Sequence, residues 1–225
     1  MDEVAPLRPD PRGAVTRRIW DISQTLGPDL PVWPGDTAFS VGRRWSQGKA
    51  SPVTVSHFTT TVHAGAHADA PLHYSPDGAS AAEVTLDAYV GPCRLVDARG
   101  QGAAIGADFI ARTLISPPPR VLFRTYDRFP HESWRGDFTA IDAAAIRALA
   151  AMGVRLVGLD SPSLDPQDSK TMDAHRAVLA ADMRVLEGLV LDDAPPGDYE
   201  LIALPLKLAG LDASPVRAIL RELAA

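Results

Sequence analysis

Cysteine is almost absent. Cys93 stands alone among 225 residues, which excludes an internal disulfide and any multi-cysteine zinc site. Long apolar runs are missing too. None approaches the ~18 residues of a membrane span. Positive charge is in deficit: 22 Lys and Arg face 28 Asp and Glu, for a net charge of −6. That argues against nucleic acid or an anionic membrane as the main partner, because both select basic surfaces. No Gly-x-Ser-x-Gly elbow occurs, so a serine hydrolase has no support. No Gly-x-x-x-x-Gly-Lys-Ser/Thr loop occurs to cradle phosphate. The N-terminal stretch MDEVAPLRPDPRG is polar and proline-rich, unlike a signal peptide, so a cytosolic protein is expected.

Hydrophobic residues make up 46% and charged residues 22%, enough apolar surface for a real core. The length suits one large domain. Pro6, Pro9 and Pro11 block regular pairing, so residues 1–15 are expected to form a flexible tail and 16–225 a single domain. Strands are predicted at Arg17–Ser23, Val53–Val62 (with two different faces), Pro92–Asp97, Val121–Tyr126, Val154–Asp160 and Glu200–Leu204. Helices are predicted at Gly106–Ile115, at Ile141–Met152 between the cap candidate Asp142 and the stop Gly153, and at Asp173–Met183. Ser214-Pro215 reads as the cap of a final helix through Leu223. Pro117-Pro118-Pro119 reads as a stiff connector between a helix and a strand. The expected class is α/β or α+β, with a central mixed sheet and helices outside.

Histidine is concentrated. Of six histidines, His57, His63, His67 and His73 fall within residues 57–73. Gly65, Asp69 and Pro71 argue against a helix there, so the segment is expected to be a turn packed on the sheet. Imidazole nitrogen and carboxylate oxygen suit a borderline divalent ion such as zinc, and three protein ligands with an open position is the catalytic arrangement. The alternative is a polar turn with histidines bonded to backbone. His175, near the start of a predicted helix, and Glu187, twelve residues on, are each compatible with an exposed position or with a ligand. Gly100-Gln101-Gly102-Ala103-Ala104-Ile105-Gly106 imitates a dinucleotide fingerprint, but its third glycine comes one residue late. A glycine-rich surface turn is the better reading.

His-x-Gly-x-His-x-Asp-x-Pro-x-His resembles the signature of the metal-dependent cyclase amidohydrolases, and within them the bacterial kynurenine formamidase branch. Supporting stretches are Trp20-Asp21-Ile22-Ser23, Pro31-Val32-Trp33-Pro34-Gly35-Asp36-Thr37, Asp160-Ser161-Pro162-Ser163 and His175 through Glu187-Gly188-Leu189. The resemblance implies a swivelling β/β/α fold, a homodimer and two zinc ions per subunit. His63, His67 and Asp69 would hold the first ion. Asp69 would bridge to a second ion held by His175 and Glu187, with Glu187 shared by both. His73 would be the acid–base residue, and Trp33 would contact an aromatic substrate. The implied activity is that of an arylformamidase: hydrolysis of the formyl amide of N-formyl-L-kynurenine to L-kynurenine and formate in tryptophan degradation. The alternatives are opening of a cyclic amide such as isatin, or a non-catalytic metal-binding protein. One departure is visible: Ala66 stands where the family usually has threonine, which predicts the loss of a hydrogen bond behind the ligands.

Overall fold

A computed structural model describes residues 17–224. The expected tail, residues 1–15, lies outside the described residues. The strands are β1 (Ile19–Asp21), β2 (Ser40–Trp45), β3 (Val55–Thr59), β4 (His67–Asp69), β5 (Val90–Asp97), β6 (Ala104–Ile105), β7 (Arg120–Arg124), β8 (Ala140–Ile141), β9 (Leu156–Leu159), β10 (Arg184–Glu187), β11 (Gly197–Ile202), β12 (Ala213–Pro215) and β13 (Ile219–Arg221). The α-helices are α1 (Ala107–Thr113), α2 (Ala143–Ala151) and α3 (Asp173–Ala180). Nine strands form one mixed sheet in the order β1-β13-β11-β5-β7-β9-β10-β4-β12. β5, β7, β9 and β10 are parallel neighbours; the strands outside them pair antiparallel.

The central strands are apolar on both sides, as parallel strands covered on both faces require. Val121, Phe123, Val157, Leu159 and Val185 face a core built with the helix residues Ile110, Ile146, Leu149 and Val178. The intervening Leu122, Leu156 and Leu186 face a second core with Trp20, Cys93, Leu201 and Leu220. The period of two thus divides each strand between two cores. Pro117–Pro119 spans the gap from α1 to β7, where a stiff connector was expected. Gly100 and Gly102 adopt positive φ in a turn ahead of β6, and Gly106 sits just before α1, in keeping with a glycine-rich turn.

Three expectations need correction. Residues 214–223 form no helix. Ser214 and Pro215 belong to β12, and Ile219–Arg221 is β13, paired with both β1 and β11. Val216, Ala218 and Leu220 are buried while Arg217 is exposed, so a strand period overrides the helix-cap pattern. The strand expected at Val53–Val62 is the shorter β3, and its two faces do not differ in burial. Among the described residues it pairs with β2 alone, and every one of its residues is exposed. The segment expected as a turn contains a strand, since His67–Asp69 is β4, buried between β10 and β12.

Candidate metal centre

β4 places its chemistry by alternation. Ala68 points into the core beneath, which sends His67 and Asp69 to the opposite face. β10 runs antiparallel beside it with Glu187 opposite His67. α3 packs on the same side and brings His175, completely buried. Four side chains from three elements therefore meet over one sheet face, and His63 joins them from the loop before β4.

The distances define the cluster. Asp69 Oδ1 lies 3.1 Å from His63 Nδ1 and 3.5 Å from His67 Nε2, while Oδ2 lies 3.3 Å from His175 Nε2. Glu187 Oε2 is 3.3 Å from His67 Nε2, and Oε1 is 3.3 Å from His175 Nε2. Both carboxylates thus offer one oxygen toward His67 and the other toward His175. Every histidine gives its remaining ring nitrogen to an outer acceptor: His67 Nδ1 donates to Gly65 O at 2.9 Å, His175 Nδ1 to Asp165 Oδ2 at 2.6 Å, and His63 Nε2 to Asp212 Oδ2 at 2.9 Å. Outer acceptors of this kind orient metal-binding imidazoles and raise their basicity.

Asp165 also accepts the backbone N–H groups of Ala174 and His175 at the start of α3. Met172, the residue before the helix, supplies no side-chain cap. One carboxylate therefore caps the helix and orients its histidine. Gly188 allows the close approach that holds Gly65. Its φ is +63°, and a Cβ there would fall 2.5 Å from the Gly65 carbonyl oxygen.

The electrostatics call for cations. Asp69 and Glu187 are buried side by side. Burial opposes the Asp69 charge, but the adjacent imidazoles of His175 and His63 outweigh it and hold the carboxyl well below its ordinary range. Burial, opposed mainly by Asp69, leaves His63 raised to about 9. His175 is raised despite its burial, by Asp165, Asp69 and Glu187. Two buried carboxylates can be neutralised by imidazolium protons or by metal ions. His67 Nε2 and Asp69 Oδ1 are buried and lack a hydrogen-bond partner among the described residues. Both are aimed into the cluster, where His67, Asp69 and Glu187 converge closely enough to share one ion. The donor set of imidazole nitrogens and carboxylate oxygens fits a divalent metal.

His73 follows β4 on a short 3-10 turn (Pro71–His73) and stands at the edge of the cluster. Its Nδ1 is 3.3 Å from the same Asp212 Oδ2 that binds His63, and its ring is tilted on that of His63 at 4.4 Å. His63, Asp69 and His73 also converge closely enough to share an ion. His63, His67 and Glu187 of the cluster, with His73, line a cavity of about 340 Å³. Trp33 stands in its wall and meets Trp134 edge-on at 5.1 Å and Phe138 at 6.4 Å. The Asp36 N–H donates to Trp33 O at 2.9 Å, closing a Pro-Gly turn in which Gly35 takes φ +91°.

All the residues named from the sequence therefore come together: His63, His67, Asp69, His175 and Glu187 in the cluster, with His73 and Trp33 beside it. Missed were Asp165, Asp212 and Trp134. Asp165 carries a weak local signal, an acid ahead of a helix start. Asp212 carries none, being 149 positions from His63. Ala66 lies in the apolar core, so its methyl group packs where a hydroxyl would need a partner.

The Cyclase family model matches residues 20–166. A kynurenine formamidase from Sphingopyxis alaskensis is 58% identical over 207 residues, covering 92% of this chain and 99% of that protein. One from Erythrobacter litoralis is 56% identical over 92% of this chain and 95% of its own. Among solved structures, one described as a potential metal-dependent hydrolase with cyclase activity superposes with a TM-score of 0.81 at 30% identity, covering 93% of this chain and all of that one. Isatin hydrolase A from Ralstonia solanacearum gives 0.79 at 25% identity, covering 92% of each chain.

Proposed function

The chain belongs to the cyclase family, and we propose that it is a metal-dependent formamidase that hydrolyses N-formyl-L-kynurenine to L-kynurenine and formate. The observation that carries this reading is the cavity itself. His63, His67 and Glu187 of the cluster line it, with Asp69 and His175 buried, and its wall is aromatic. The similarity to proteins named kynurenine formamidase supports the substrate.

We assign His63, His67, Asp69 and Glu187 to one ion and His175, Asp69 and Glu187 to a second, and propose zinc for both. When bound, such ions supply Lewis acidity, making water more acidic and a formyl carbonyl more electrophilic. The chain's own residues do the rest. Asp69 and Glu187 bring the negative charge that makes the site selective for cations. Gly65, Asp165 and Asp212 hold the imidazoles in the tautomer that leaves the inward nitrogen as a donor atom. His73 donates its Nδ1–H to Asp212, which leaves Nε2 to accept the proton of the attacking water and return it to the departing aniline nitrogen. Trp33 and Trp134 offer flat apolar surface to the aryl ring and exclude water beside it.

The test is turnover of N-formyl-L-kynurenine by purified protein, with metal counted per chain, before and after chelation. Activity lost with the metal and restored by zinc is expected. His73→Ala should lower kcat with metal content retained; loss of metal would instead make His73 a ligand. Opening of a cyclic amide is the second reading, raised by the isatin hydrolase neighbour, and turnover of isatin but not of formylkynurenine would select it. Bound metal with no turnover of either would leave a metal-binding protein.

We further propose a homodimer. β2 and β3 form an isolated two-stranded sheet that exposes Val41, Trp45, Val55 and Phe58. Such a ribbon is marginal alone in water, and a contiguous apolar patch marks an interface. No helix among the described residues is long and apolar enough to cross a membrane. A cytosolic location is our proposal, and the buried free thiol of Cys93 accords with it.

A further inference from the structure

The amino-acid end of the proposed substrate carries an α-carboxylate and an α-ammonium, and both need partners beyond the aromatic wall. Among the described residues lining the cavity, Arg135 is the only arginine or lysine. It follows Trp134, whose ring is fixed against Trp33. The backbone around it is held from behind. Trp134 Nε1 donates to Gln167 Oε1 at 2.7 Å, and Gly136 packs so near that a Cβ would lie 2.5 Å from the same oxygen. The guanidinium rests on Asp137, with Nε 3.1 Å from Oδ1 and Nη2 3.2 Å from Oδ2. Their side chains are 55% and 73% exposed, and an exposed pair of this kind contributes little. A second carboxylate can therefore engage the guanidinium at small cost. Asp36, at the end of the Trp33 turn, lines the same cavity and is exposed. An acid and a base thus flank one aromatic pair.

We infer that Arg135 binds the α-carboxylate and Asp36 the α-ammonium of the substrate, so that the site selects aryl formamides bearing a zwitterionic amino-acid arm over neutral ones. This rests on the formamidase reading and adds the basis of its selectivity. A neutral cyclic amide would leave both groups unused.

The experiment compares N-formyl-L-kynurenine with 2-formamidoacetophenone, which lacks the amino-acid arm, on the wild type, Arg135→Gln and Asp137→Asn. A second readout is the quenching of tryptophan fluorescence by L-kynurenine and by 2-aminoacetophenone. Arg135→Gln should raise KM for formylkynurenine about 10- to 100-fold, the range for one charge-assisted hydrogen bond. It should leave kcat and the neutral substrate unchanged, and weaken L-kynurenine binding to the same degree. Asp137→Asn should not raise KM. Equal kcat/KM for both substrates on the wild type, or equal effects of Arg135→Gln on both, would overturn the assignment. If the wild type turns over neither compound, the formamidase reading fails. The fluorescence titration then decides separately: an Arg135-dependent preference for L-kynurenine supports the site, and no preference overturns it.

Discussion

Asp165→Ala should weaken metal binding and helix α3 together. The Asp165 carboxylate accepts three bonds, from Ala174 N at 3.0 Å, His175 N at 3.1 Å and His175 Nδ1 at 2.6 Å. The two backbone bonds stand in for a missing cap, and each is worth about 1 kcal/mol. The bond to the imidazole is charge-assisted and adds about 1.5 kcal/mol or more. A total of about 3.5 kcal/mol corresponds to a fall in Tm of roughly 7–14 °C for a chain of this size. Loss of the outer acceptor should also lower metal affinity about 10- to 100-fold, because the His175 ring loses both its orientation and its added basicity. The assays are a thermal melt of chelated protein and a metal titration against a competing chelator. Asp165→Asn gives an internal check: its single acceptor oxygen keeps the Ala174 bond if it takes the Oδ1 position, or both His175 bonds if it takes the Oδ2 position, so it should fall between wild type and alanine. An unchanged metal affinity with a lowered Tm would refute the claim that Asp165 acts on the site, leaving it a helix cap alone.

Other expectations follow from the same geometry. In metal-free protein His63 and His175 are raised above their ordinary value of 6.5, so their stabilisation is complete below that pH; the His63 part is lost as pH rises through about 9, and the His175 part as pH rises through its own raised value. Asp69 and Glu187 are lowered, so theirs is present above the ordinary carboxylate range and lost in acid. The Tm of the metal-free protein should therefore decline from pH 6.5 to 9.5, whereas metal-loaded protein should not decline, because the metal replaces the protons; parallel melts in both states check this. Gly188→Ala should cost about 1–3 kcal/mol, since it adds a Cβ at positive φ against the Gly65 carbonyl. It should also weaken metal binding by displacing the acceptor of His67 Nδ1, as read by denaturant melts and chelator competition. Phe58→Asp should convert a dimer of the 24.0 kDa chain to monomer, as measured by sedimentation; a wild-type protein that sediments as monomer refutes the assembly.

Much of the framework was written locally. α2 begins after Asp142 and ends before Gly153, as its composition implies, because helix limits depend on neighbours in sequence. The buried parallel strands β7 and β9 announce themselves as apolar runs. The C-terminal segment failed for an instructive reason. Ser214-Pro215 carries a helix-opening pattern, but Ser214 faces Ala68 across β4, and Leu220 completes the core with Trp20. Pairing to distant strands outweighed a local propensity of a fraction of a kcal/mol per residue.

The centre divides the same way. Residues 63–73 hold most of its donors, and a short motif is readable because its members are fixed by one strand and one turn. His175 and Glu187 were nameable only through family resemblance. Nothing in their own surroundings showed that α3 and β10 pack beside β4. The supporting groups were wholly tertiary. Asp212 touches His63 and His73 across 149 and 139 positions, and Arg135 lines the cavity next to Trp134, whose ring packs on the distant Trp33. A sequence by itself determines which side chains can ligate, titrate or stack. Which of them share a few ångströms is decided by sheet order and burial, since only the folded chain removes the water that would otherwise separate their charges.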